Sequence, residues 1–398
     1  MKTYDVLIVG GGLTGSSLAL MLSRLGLAIA LVEAVDPEQR WHSPAGERAL
    51  ALAKGSVEIF DALGIWIKVA KLATPIRYIH VSDRGHFGKT RFDASEMGID
   101  AFGQVVLARD LEQAVASACG EAEIDVLCPA QVTGLRIEPK AAEVCLLQDR
   151  RAFSCRARLV VAADGGKSKI RQWVGIGQTV HDYYQTAVVG RVYSEKPHQY
   201  AAYERFTDSG PLALLPLQGG NSALIWSHFL EEAKIVQTLP ADQFALRLQK
   251  AFGWRLGRLK LVSPLCSFPL CLIRAKRLFA ERVVLVGNAA HQLHPVAGQG
   301  FNLGLRDVVV LTKLMEEYLP RGYDPGAFTL LERYAKMRFP DHDRVIGFSH
   351  GLIRCFTPPL KPLALMRSFG LVALDHLPLG KRLLTQHAMG ITGSEWLA

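Results

Sequence analysis

The sequence lacks the cysteine patterns of disulfide scaffolds and metal sites. Its seven cysteines are an odd set without a Cys-x-x-Cys pair, which argues against a disulfide framework and predicts that no metal is bound. It also lacks a basic run interleaved with aromatic residues and any zinc-finger or RRM pattern, so we predict no nucleic-acid partner. Lys and Arg nevertheless outnumber Asp and Glu by 46 to 37. The formal charge of +9 suits anionic cofactors or an anionic lipid surface, and an ordinary basic surface is the alternative.

Long uninterrupted apolar runs are also missing. Residues 6–23 carry no charge and follow Lys2, as in a signal peptide, but Asp5 interrupts the basic lead and polar residues and glycines break the stretch. A buried strand, a turn and a helix explain this segment better, so we expect a cytoplasmic protein without a membrane span. With 398 residues, of which 49% are hydrophobic, the chain can form two intertwined domains or one large one.

The N-terminal segment has the pattern of a dinucleotide-binding βαβ unit. Hydrophobic periodicity predicts a strand over residues 4–9, a helix over 14–25 and a second strand over 28–32. Between the first strand and the helix, Gly10, Gly12 and Gly15 fit Gly-x-Gly-x-x-Gly, whose glycines permit a tight turn and close approach of the backbone to a pyrophosphate. The helix N-terminus then offers free N–H groups to the phosphates.

Glu33 follows the second predicted strand, at the place where an acidic residue binds ribose hydroxyls in such units. Its carboxylate would repel a 2′-phosphate, which favours the adenosine of FAD or NAD. A solvated strand end is the alternative explanation for this residue. One fingerprint does not separate FAD from NAD, so the rest of the chain has to decide between them.

Two later segments also place a tight turn after an apolar strand. Asp164-Gly165 follows the apolar run 159–163 and begins a helix on which Ser168 and Arg171 lie one turn apart, although an Asx turn would use the same residues. Gly287-Asn288 follows the apolar segment 283–286. Beyond it, His294-Pro295 is an extended dipeptide, and the glycines up to Gly304 permit a loop pressed against a ring before a helix begins.

Together these segments resemble the group A FAD-dependent aromatic hydroxylases, nearly from end to end of the chain. That family usually has Gly-Asp where this chain has Gly287-Asn288, and an amide can still form hydrogen bonds with ribityl hydroxyls. The branch that the sequence most resembles is the UbiH/VisC branch of ubiquinone biosynthesis. Its supporting segments are 48–52, 204–207 and 210–217, together with Tyr334, Arg338 and Asp341.

The resemblance implies an α/β (mixed α+β) fold that is similar to para-hydroxybenzoate hydroxylase. A Rossmann-like FAD-binding domain of the GR2 type would comprise residues 1–75, 106–180 and 273–345. An inserted β-sheet substrate domain would comprise 76–105 and 181–272, followed by C-terminal helices over 346–398. A helix N-terminus after the 294–300 loop would stabilise negative charge on the reduced flavin.

The resemblance also implies the site residues, while no catalytic residue is assigned, because His291 and His294 are as well explained as structural hydrogen-bonding groups. The residues expected to bind FAD are Gly10, Gly12, Thr14, Gly15, Glu33, Arg48, Arg109, Val132, Asp164, Gly287, Asn288, Pro295, Gly298, Gly300, Phe301 and Asn302. The residues expected to form the substrate pocket are Phe206, Leu214, Leu215, Trp226 and Val296. For the strand residues among them, plain sheet core is an equally good explanation.

The implied function is an FAD-dependent monooxygenase that hydroxylates a polyprenylated phenol in ubiquinone biosynthesis. NAD(P)H would be the transient electron donor, and O2 would react through a flavin C4a-hydroperoxide. Segment 87–91 and Asn288 are most similar to the 2-polyprenyl-6-methoxyphenol hydroxylases. The alternatives are another ring carbon, another aromatic substrate, a flavoprotein reductase that does not activate O2, or a non-catalytic FAD-binding scaffold.

Two kinds of partner remain open for the C-terminal tail from Pro358 onward, which mixes leucines with basic residues. It would contact either the inner membrane surface, as a peripheral protein does, or other proteins of ubiquinone biosynthesis. Ordinary helices that pack on the FAD-binding domain are the alternative.

Overall fold

The structure is a computed structural model that describes residues 1–43, 46–356 and 361–388. The strands are β1 (Thr3–Val9), β2 (Ile29–Val32), β3 (Ala49–Ala53), β4 (Thr74–Ile76), β5 (Tyr78–Asp83), β6 (Lys89–Asp93), β7 (Gly103–Leu107), β8 (Ile124–Leu127), β9 (Gln131–Ile137), β10 (Ala142–Gln148), β11 (Arg151–Ala162), β12 (Gln178–Ser194), β13 (Ala201–Thr207), β14 (Gly210–Pro216), β15 (Asn221–Phe229), β16 (Leu259–Leu261), β17 (Cys266–Ala275), β18 (Phe279–Ala280), β19 (Val283–Leu285) and β20 (His291–Gln292). The α-helices are α1 (Leu13–Ser23), α2 (Pro37–Trp41), α3 (Lys54–Ala62), α4 (Trp66–Val69), α5 (Ala108–Glu121), α6 (Lys169–Trp173), α7 (Leu230–Thr238), α8 (Ala241–Phe252), α9 (Gln299–Tyr318), α10 (Phe328–Phe356), α11 (Lys361–His376) and α12 (Pro378–Ala388).

The first sheet has the strand order β18-β19-β11-β1-β2-β8, with β10 beside β11 and β9 beside β10. Strand β1 pairs in parallel with β2 and β11, and β11 pairs in parallel with β19. These central strands are buried because α1, α5 and α9 pack together beside them, which explains their continuous apolar sequence. The carboxyl ends of β1, β11 and β19 therefore meet at one edge, and each is followed by one of the three predicted turns.

Strand β11 is one continuous strand, whereas its sequence predicts two separate segments, 152–156 and 159–163. Its first half pairs antiparallel with β10 and its second half pairs in parallel with β1 and β19. The alternating pattern and the fully apolar pattern therefore belong to the two ends of one element, which change neighbours along its length.

The second sheet has the order β20-β17-β12-β15-β14-β13-β5-β6, with β16 beside β12. Helices α7 and α8 cover one of its faces, where Phe244 and Leu248 meet Leu224 in a buried cluster. The sheet extends a few residues beyond the predicted boundaries, because β12 begins at Gln178 and β17 ends at Ala275. Strand β20, in the predicted FAD-binding part, also pairs with β17.

A small third sheet of β3, β7 and β4 lies where the two larger sheets meet. Its residues Ile76 and Val105 share a hydrophobic cluster with Ala202 and Ala223 of the second sheet. Leu52 of β3 and Val106 of β7, in the same small sheet, belong to the hydrophobic core of the first sheet. The two larger sheets are therefore joined by continuous apolar packing.

The C-terminal helix α11 is attached to the edge of the second sheet, and α12 packs on α11. Helix α11 lies against β6, where the hydroxyl of Thr90 donates to the Leu371 carbonyl at 2.6 Å, and Arg367 pairs with Asp83 at 3.2 Å. Residues 357–360 and 389–398 of the predicted C-terminal region lie outside the described residues. In the described part of the chain, no helix combines the length and the apolar character needed to cross a bilayer.

Candidate FAD-binding and active site

Of the three glycines that fit the Gly-x-Gly-x-x-Gly pattern after β1, two have no room for a side chain. A Cβ atom on Gly10, whose φ is +109°, would lie 2.4 Å from the Ala163 carbonyl oxygen, and one on Gly15 would lie 2.0 Å from the Gly10 oxygen. A Cβ atom on Gly12 would meet nothing within 4 Å. Gly12 also precedes α1 as an N-cap without a side-chain hydrogen bond. This helix N-terminus is therefore open to an anionic group.

The carboxylate of Glu33 is fixed beside this turn. It accepts hydrogen bonds from the Gly11 N–H at 2.7 Å and the Val35 N–H at 2.9 Å. Arg40 lies 3.4 Å from it and also donates to the Gly11 carbonyl at 3.2 Å. The sequence reasoning missed Arg40, because a single arginine in a short helix carries no motif. The Glu33 backbone in turn accepts from the Ala130 N–H at 2.7 Å, so the segment before the buried residue Val132 is attached to the site.

Asp164 begins the second turn, after β11. Its Oδ2 atom accepts hydrogen bonds from the N–H groups of Lys169 at 2.9 Å and Ile170 at 3.3 Å, at the start of α6. Its Oδ1 atom is buried and has no hydrogen-bond partner among the described residues. A buried carboxylate oxygen without a donor is costly, so this atom fits a donor from a bound group.

Arg171 joins the second turn to the third. Its side chain is 1% exposed and donates to the Ala289 carbonyl and to the Gly166 carbonyl, both at 2.7 Å. Ser168 caps the same helix by accepting from the Arg171 N–H at 3.0 Å. Ser168 and Arg171 therefore lie on one helical turn, as predicted, and both side chains form hydrogen bonds within the protein.

The third turn, after β19, packs against the first. Gly287 has a φ of +56°, and a Cβ atom there would lie 3.0 Å from the Thr14 side chain. Gly304 of α9 packs equally closely, with its Cβ position 3.2 Å from the Gly287 Cα. The side chain of Asn288 is exposed, and no hydrogen bond to it is formed within the described residues. Its amide is available to a ligand in this region.

A buried ionic network lies behind the third turn, centred on Asp307 of α9. This carboxylate accepts from the Gly287 N–H at 3.0 Å and from Arg338 at 2.7 Å, and the rings of His291 and His342 lie 2.8 and 2.7 Å away. Burial alone would raise the pKa of Asp307, but His342, Arg338 and His291 hold it well below its usual range. The network therefore fixes the Gly287 backbone with a charged acceptor.

His291, Asp307 and His342 also have the spacing of a metal site, since their ligand atoms lie within 4.8 Å of one another. However, both carboxylate oxygens of Asp307 already accept from N–H donors, and the guanidinium of Arg338 bonded to one of them would repel a cation. We therefore describe the cluster as an ionic network and assign no metal to it.

The loop of residues 294–298, which we call the His-Pro loop, leads into α9. Pro295 is exposed, Ala297 has a φ of 59°, and Gly298 has a φ of 63°. A Cβ atom on Gly298 would lie 3.1 Å from Ala51, while one on Gly300 would meet nothing within 4 Å. Helix α9 begins without a side-chain cap, so its positive end is open beside this loop.

Phe301 and Asn302 are directed into the protein. The Phe301 ring lies 6.2 Å from that of Phe60, in the core beside the first sheet. The Asn302 amide donates to the carbonyls of Ala51 and Gly298, and its oxygen accepts from the Ala53 N–H and the Ser56 hydroxyl. Both side chains therefore hold the His-Pro loop and β3 in place, and only their backbone remains for contact with a cofactor.

Of the two predicted arginines, Arg48 precedes β3 and Arg109 lies in the first turn of α5, directly after the strand β7 that pairs with β3. Arg48 is exposed, and its guanidinium carbon lies 5.0 Å from the centre of the Phe268 ring. Arg109 pairs with Glu47, which also pairs with Arg191 of the second sheet at 3.1 Å. These arginines therefore lie at the contact between the two sheets.

The predicted pocket residues lie on opposite faces of the second sheet. Phe206 and Val296 pack together with Ile353 of α10, and Phe206 stacks on Phe356 at 3.8 Å. Leu215 lies on the same face as these residues, packed near the third sheet.

Leu214 and Trp226 face the other way, into the cluster covered by α7 and α8. The structure therefore does not bring Leu214 and Trp226 to the His-Pro loop, and for them the alternative of plain sheet core applies.

His294 is 1% exposed and lies beside the Tyr183 ring at 5.2 Å. Its Nδ1 atom accepts from the Val296 N–H at 3.3 Å, and burial lowers the pKa of this imidazole to about 4. His294 is therefore neutral near pH 7 and shapes its own loop. Since His291 belongs to the Asp307 network, both histidines considered from the sequence have structural partners.

These features fit an extended dinucleotide cofactor. The open α1 N-terminus, the fixed Glu33 carboxylate, the unpartnered Asp164 oxygen and the exposed Asn288 amide all lie along the one edge of the first sheet where the three turns meet. In this arrangement the α1 N-terminus would hold the pyrophosphate, Glu33 the ribose and Asn288 the ribityl chain.

Residues 3–349 match the family described as FAD binding domain, and the chain belongs to this family. It is 36% identical to the ubiquinone hydroxylase UbiL of Rhodospirillum rubrum over 395 residues, which cover 98% of this chain and 90% of that protein. It is 30% identical to the 3-demethoxyubiquinol 3-hydroxylase of Escherichia coli, with 97% of this chain and 98% of that protein covered.

Solved structures show the same fold at low identity. The p-nitrophenol 4-monooxygenase PnpA of Pseudomonas putida superposes with a TM-score of 0.82 at 17% identity, and the match covers 98% of this chain and 99% of PnpA. The predicted α/β fold with an FAD-binding domain is confirmed.

The fold and the sequence match define the class of protein, which is an FAD-dependent aromatic monooxygenase. Within that class, the chain belongs to the ubiquinone-biosynthesis branch of the aromatic hydroxylases.

Proposed function

We propose that this enzyme hydroxylates the ring of a polyprenylated phenol, with NAD(P)H as a transient electron donor and O2 as the oxygen source. The observation that carries the proposal is the apolar cluster in which Phe206 and Phe356 pack together with Val296 of the His-Pro loop. A phenol with a hydrocarbon chain would bury its apolar surface there. When bound, FAD supplies the electron transfer and oxygen activation that side chains cannot provide.

The chain's own residues contribute binding and the exclusion of water. The stacked rings of Phe206 and Phe356 would help to exclude water from the site. The open N-terminus of α9 would stabilise negative charge that develops beside the loop. Asn288 would bind the cofactor without adding a negative charge near the ring, unlike the aspartate that is usual in the family.

For the hydroxylated position, we propose the 2-polyprenyl-6-methoxyphenol reaction on the basis of Asn288 and segment 87–91. This segment forms the end of the β5–β6 hairpin, where the Phe87 ring contacts that of Phe369 at 5.6 Å. The E. coli relative is named for hydroxylation of demethoxyubiquinol, so the same fold accommodates another quinone precursor. Demethoxyubiquinol is therefore the competing substrate.

Reduction of the FAD-loaded enzyme without oxygen, followed by addition of O2, tests this proposal. Short-chain 2-prenyl-6-methoxyphenol and a demethoxyubiquinol analogue would be supplied separately, with NADH or NADPH, and products identified by mass. We expect one added oxygen atom in the methoxyphenol. Hydroxylation of the demethoxyubiquinol analogue alone would overturn the proposed position, and substrate reduction without O2 consumption would favour a reductase.

We further propose that helix α11 contacts an anionic membrane surface, from which a polyprenylated substrate would enter. Leu365, Met366 and Phe369 are 52%, 70% and 60% exposed on one side of α11, next to the exposed Phe87. The exposed cation Lys89 adjoins this apolar face, and the chain has a net charge of +9. An apolar face with neighbouring cations is typical of interfacial helices.

Flotation with vesicles of phosphatidylcholine and phosphatidylglycerol tests the membrane contact. We expect the full chain to float with anionic vesicles, and a Met366→Asp, Phe369→Asp double variant to remain at the bottom of the gradient. Ile67→Asp is the matched control, since Ile67 is 79% exposed on the separate helix α4. Equal flotation of all three proteins, or of none, would contradict the proposal.

A further inference from the structure

Glu204 lies at the contact between the second sheet and the His-Pro loop. It occupies the middle of β13, where it pairs with Ala213 on β14 and with Val81 on β5. Because side chains two apart in a strand share a face, Glu204 lies on the same face as Phe206. The Ala297 N–H lies near its carboxylate and acts to lower its pKa. One strand therefore holds two consecutive loop residues, Ala297 through Glu204 and Val296 through Phe206.

The loop needs such support, because its conformation is strained. Ala297 has a φ of 59° and a ψ of 12°, which is the left-handed region that is unfavourable for a non-glycine residue. Gln299 donates to the Ala297 carbonyl at 3.2 Å, and Asn302 donates to the Gly298 carbonyl at 2.8 Å. Those two bonds hold the loop from α9, and Glu204 holds it from the opposite side.

The Glu204 carboxyl titrates in the physiological range. Burial raises its pKa to about 7, although the nearby Ala297 N–H acts in the opposite direction. The ionisable groups on the neighbouring elements are engaged with one another. Asp83 of β5 pairs with Arg367 of α11, and Tyr183 of β12 bonds to His350 of α10. His294, in the loop itself, is neutral near pH 7 because burial lowers its pKa to about 4.

We propose that Glu204 is a positioning residue whose carboxylate fixes the His-Pro loop against the second sheet and thereby couples cofactor oxidation to hydroxylation. This inference rests on the proposed function. In the coupled reaction, NAD(P)H, a proton, O2 and the phenol give NAD(P)+, water and the hydroxylated phenol. In the uncoupled reaction, NAD(P)H, a proton and O2 give NAD(P)+ and H2O2. A displaced loop would admit water and favour the second outcome.

The proposal predicts a pH dependence with a definite sign. A charged carboxylate is a stronger acceptor for the Ala297 N–H than a neutral carboxyl group. The loop should therefore be held more firmly above pH 7, and the fraction of NAD(P)H converted to H2O2 should rise as the pH falls below 7. A glutamine at this position would accept the same bond without titrating, so its H2O2 fraction should not change across this range.

The experiment compares FAD-loaded wild type, Glu204→Ala, Glu204→Gln and the control Glu232→Gln, whose carboxylate pairs with Arg247 on the far side of the sheet. Melting temperature and FAD content confirm that each variant folds. The first readout is hydrogen exchange of the Ala297 amide, which requires no substrate. We expect it to accelerate about 10-fold or more in Glu204→Ala and to stay near the wild-type rate in Glu204→Gln and the control.

The second readout is H2O2 formed per NADH oxidised, measured from pH 6 to pH 8 with 2-prenyl-6-methoxyphenol. We expect Glu204→Ala to have a raised fraction at every pH and Glu204→Gln to have lost the pH dependence. Unchanged Ala297 exchange in Glu204→Ala would overturn the proposal. So would a Glu204→Gln protein that keeps the exchange rate but loses hydroxylation, since that identifies a proton acceptor. If wild type fails to hydroxylate the phenol, the proposed function fails, while the exchange readout still decides the role of Glu204.

Discussion

At the scale of single residues, three glycines of one turn serve two different purposes. Gly10 and Gly15 are required by the protein itself, because a Cβ atom on either would collide with backbone. Gly12 has a φ of −72°, which any residue adopts, and its Cβ position is open. The requirement for glycine at position 12 therefore comes from whatever binds next to it.

We predict that Gly12→Ala weakens FAD binding by about 10-fold or more while the melting temperature of the apoprotein is unchanged or slightly higher. Titration of the apoprotein with FAD, followed by flavin fluorescence, measures the first effect. Gly120→Ala is the control, because this helical glycine also has open space around it but lies far from the three turns. An unaffected FAD affinity in Gly12→Ala would show that the cofactor does not approach this position.

Asp307 is the residue whose loss should affect stability most. Replacement by Asn would remove one of the two carboxylates that pair with the buried Arg338, leaving Asp341, and would weaken the support of Gly287. We predict a decrease of about 3–5 kcal/mol in the free energy of unfolding, measured by urea denaturation. Glu317→Gln breaks an exposed pair with Arg321 and should change it by less than about 0.5 kcal/mol. Equal effects of the two substitutions would contradict the role given to the network.

At the scale of elements, β14 shows how one strand serves two different clusters. Leu214 is fully buried against the helices α7 and α8, and the adjacent Leu215 lies on the face directed to the His-Pro loop. The same alternation places Trp226 of β15 among the helices. Since period-two alternation separates two faces without saying what covers each, the pocket could not be identified from these strands alone.

The two leucines make a matched pair of substitutions. We predict that Leu214→Ala lowers the free energy of unfolding by about 2–5 kcal/mol and leaves the KM for the phenol unchanged. Leu215→Ala should cost less stability, because Leu215 is only partly buried, and should raise the KM or the H2O2 fraction. Urea denaturation and steady-state kinetics with 2-prenyl-6-methoxyphenol measure both. The reverse pattern would place the substrate on the other face of the sheet.

How well the sequence predicts the site depends on how far apart along the chain the contacting residues lie. The glycine turn, Glu33 and the Asp164 turn are set by local chain geometry, so short motifs reveal them. The full hydrogen bonding of Asn302 depends on Ala51, Ala53 and Ser56, about 250 residues earlier in the chain. The network of Asp307 likewise needs α10, and the place of Glu204 is known only once β13 meets the loop. No motif encodes such long-range contacts.

At the scale of the whole molecule, burial of neutral histidines makes stability depend on pH. Burial lowers the pKa of both His80 and His294 from 6.5 to about 4. Between these values the unfolded chain binds more protons than the folded protein, so the free energy of unfolding increases with pH. Each histidine should therefore cost about 2 kcal/mol of stability when the pH is lowered from 7 to 5.

Urea denaturation at pH 5, 6 and 7 measures this slope. We predict that His80→Gln and His294→Gln each flatten it, while replacement of the exposed His42 leaves it as in the wild type. A slope that is as steep in both variants as in the wild type would show that these imidazoles are not buried as neutral groups.

The pairing of β20 with β17 has a consequence for how such enzymes can diverge. The chain enters the second sheet at β5, leaves after β6, returns from β12 to β17 and contributes β20 only after the Gly287 turn. The second sheet is therefore not formed by one continuous segment that recombination could exchange between relatives. A chimera that takes β12 to β17 from another enzyme must also match β20 and the loop that follows it. New specificities in this family should thus arise by point substitution more readily than by exchange of segments.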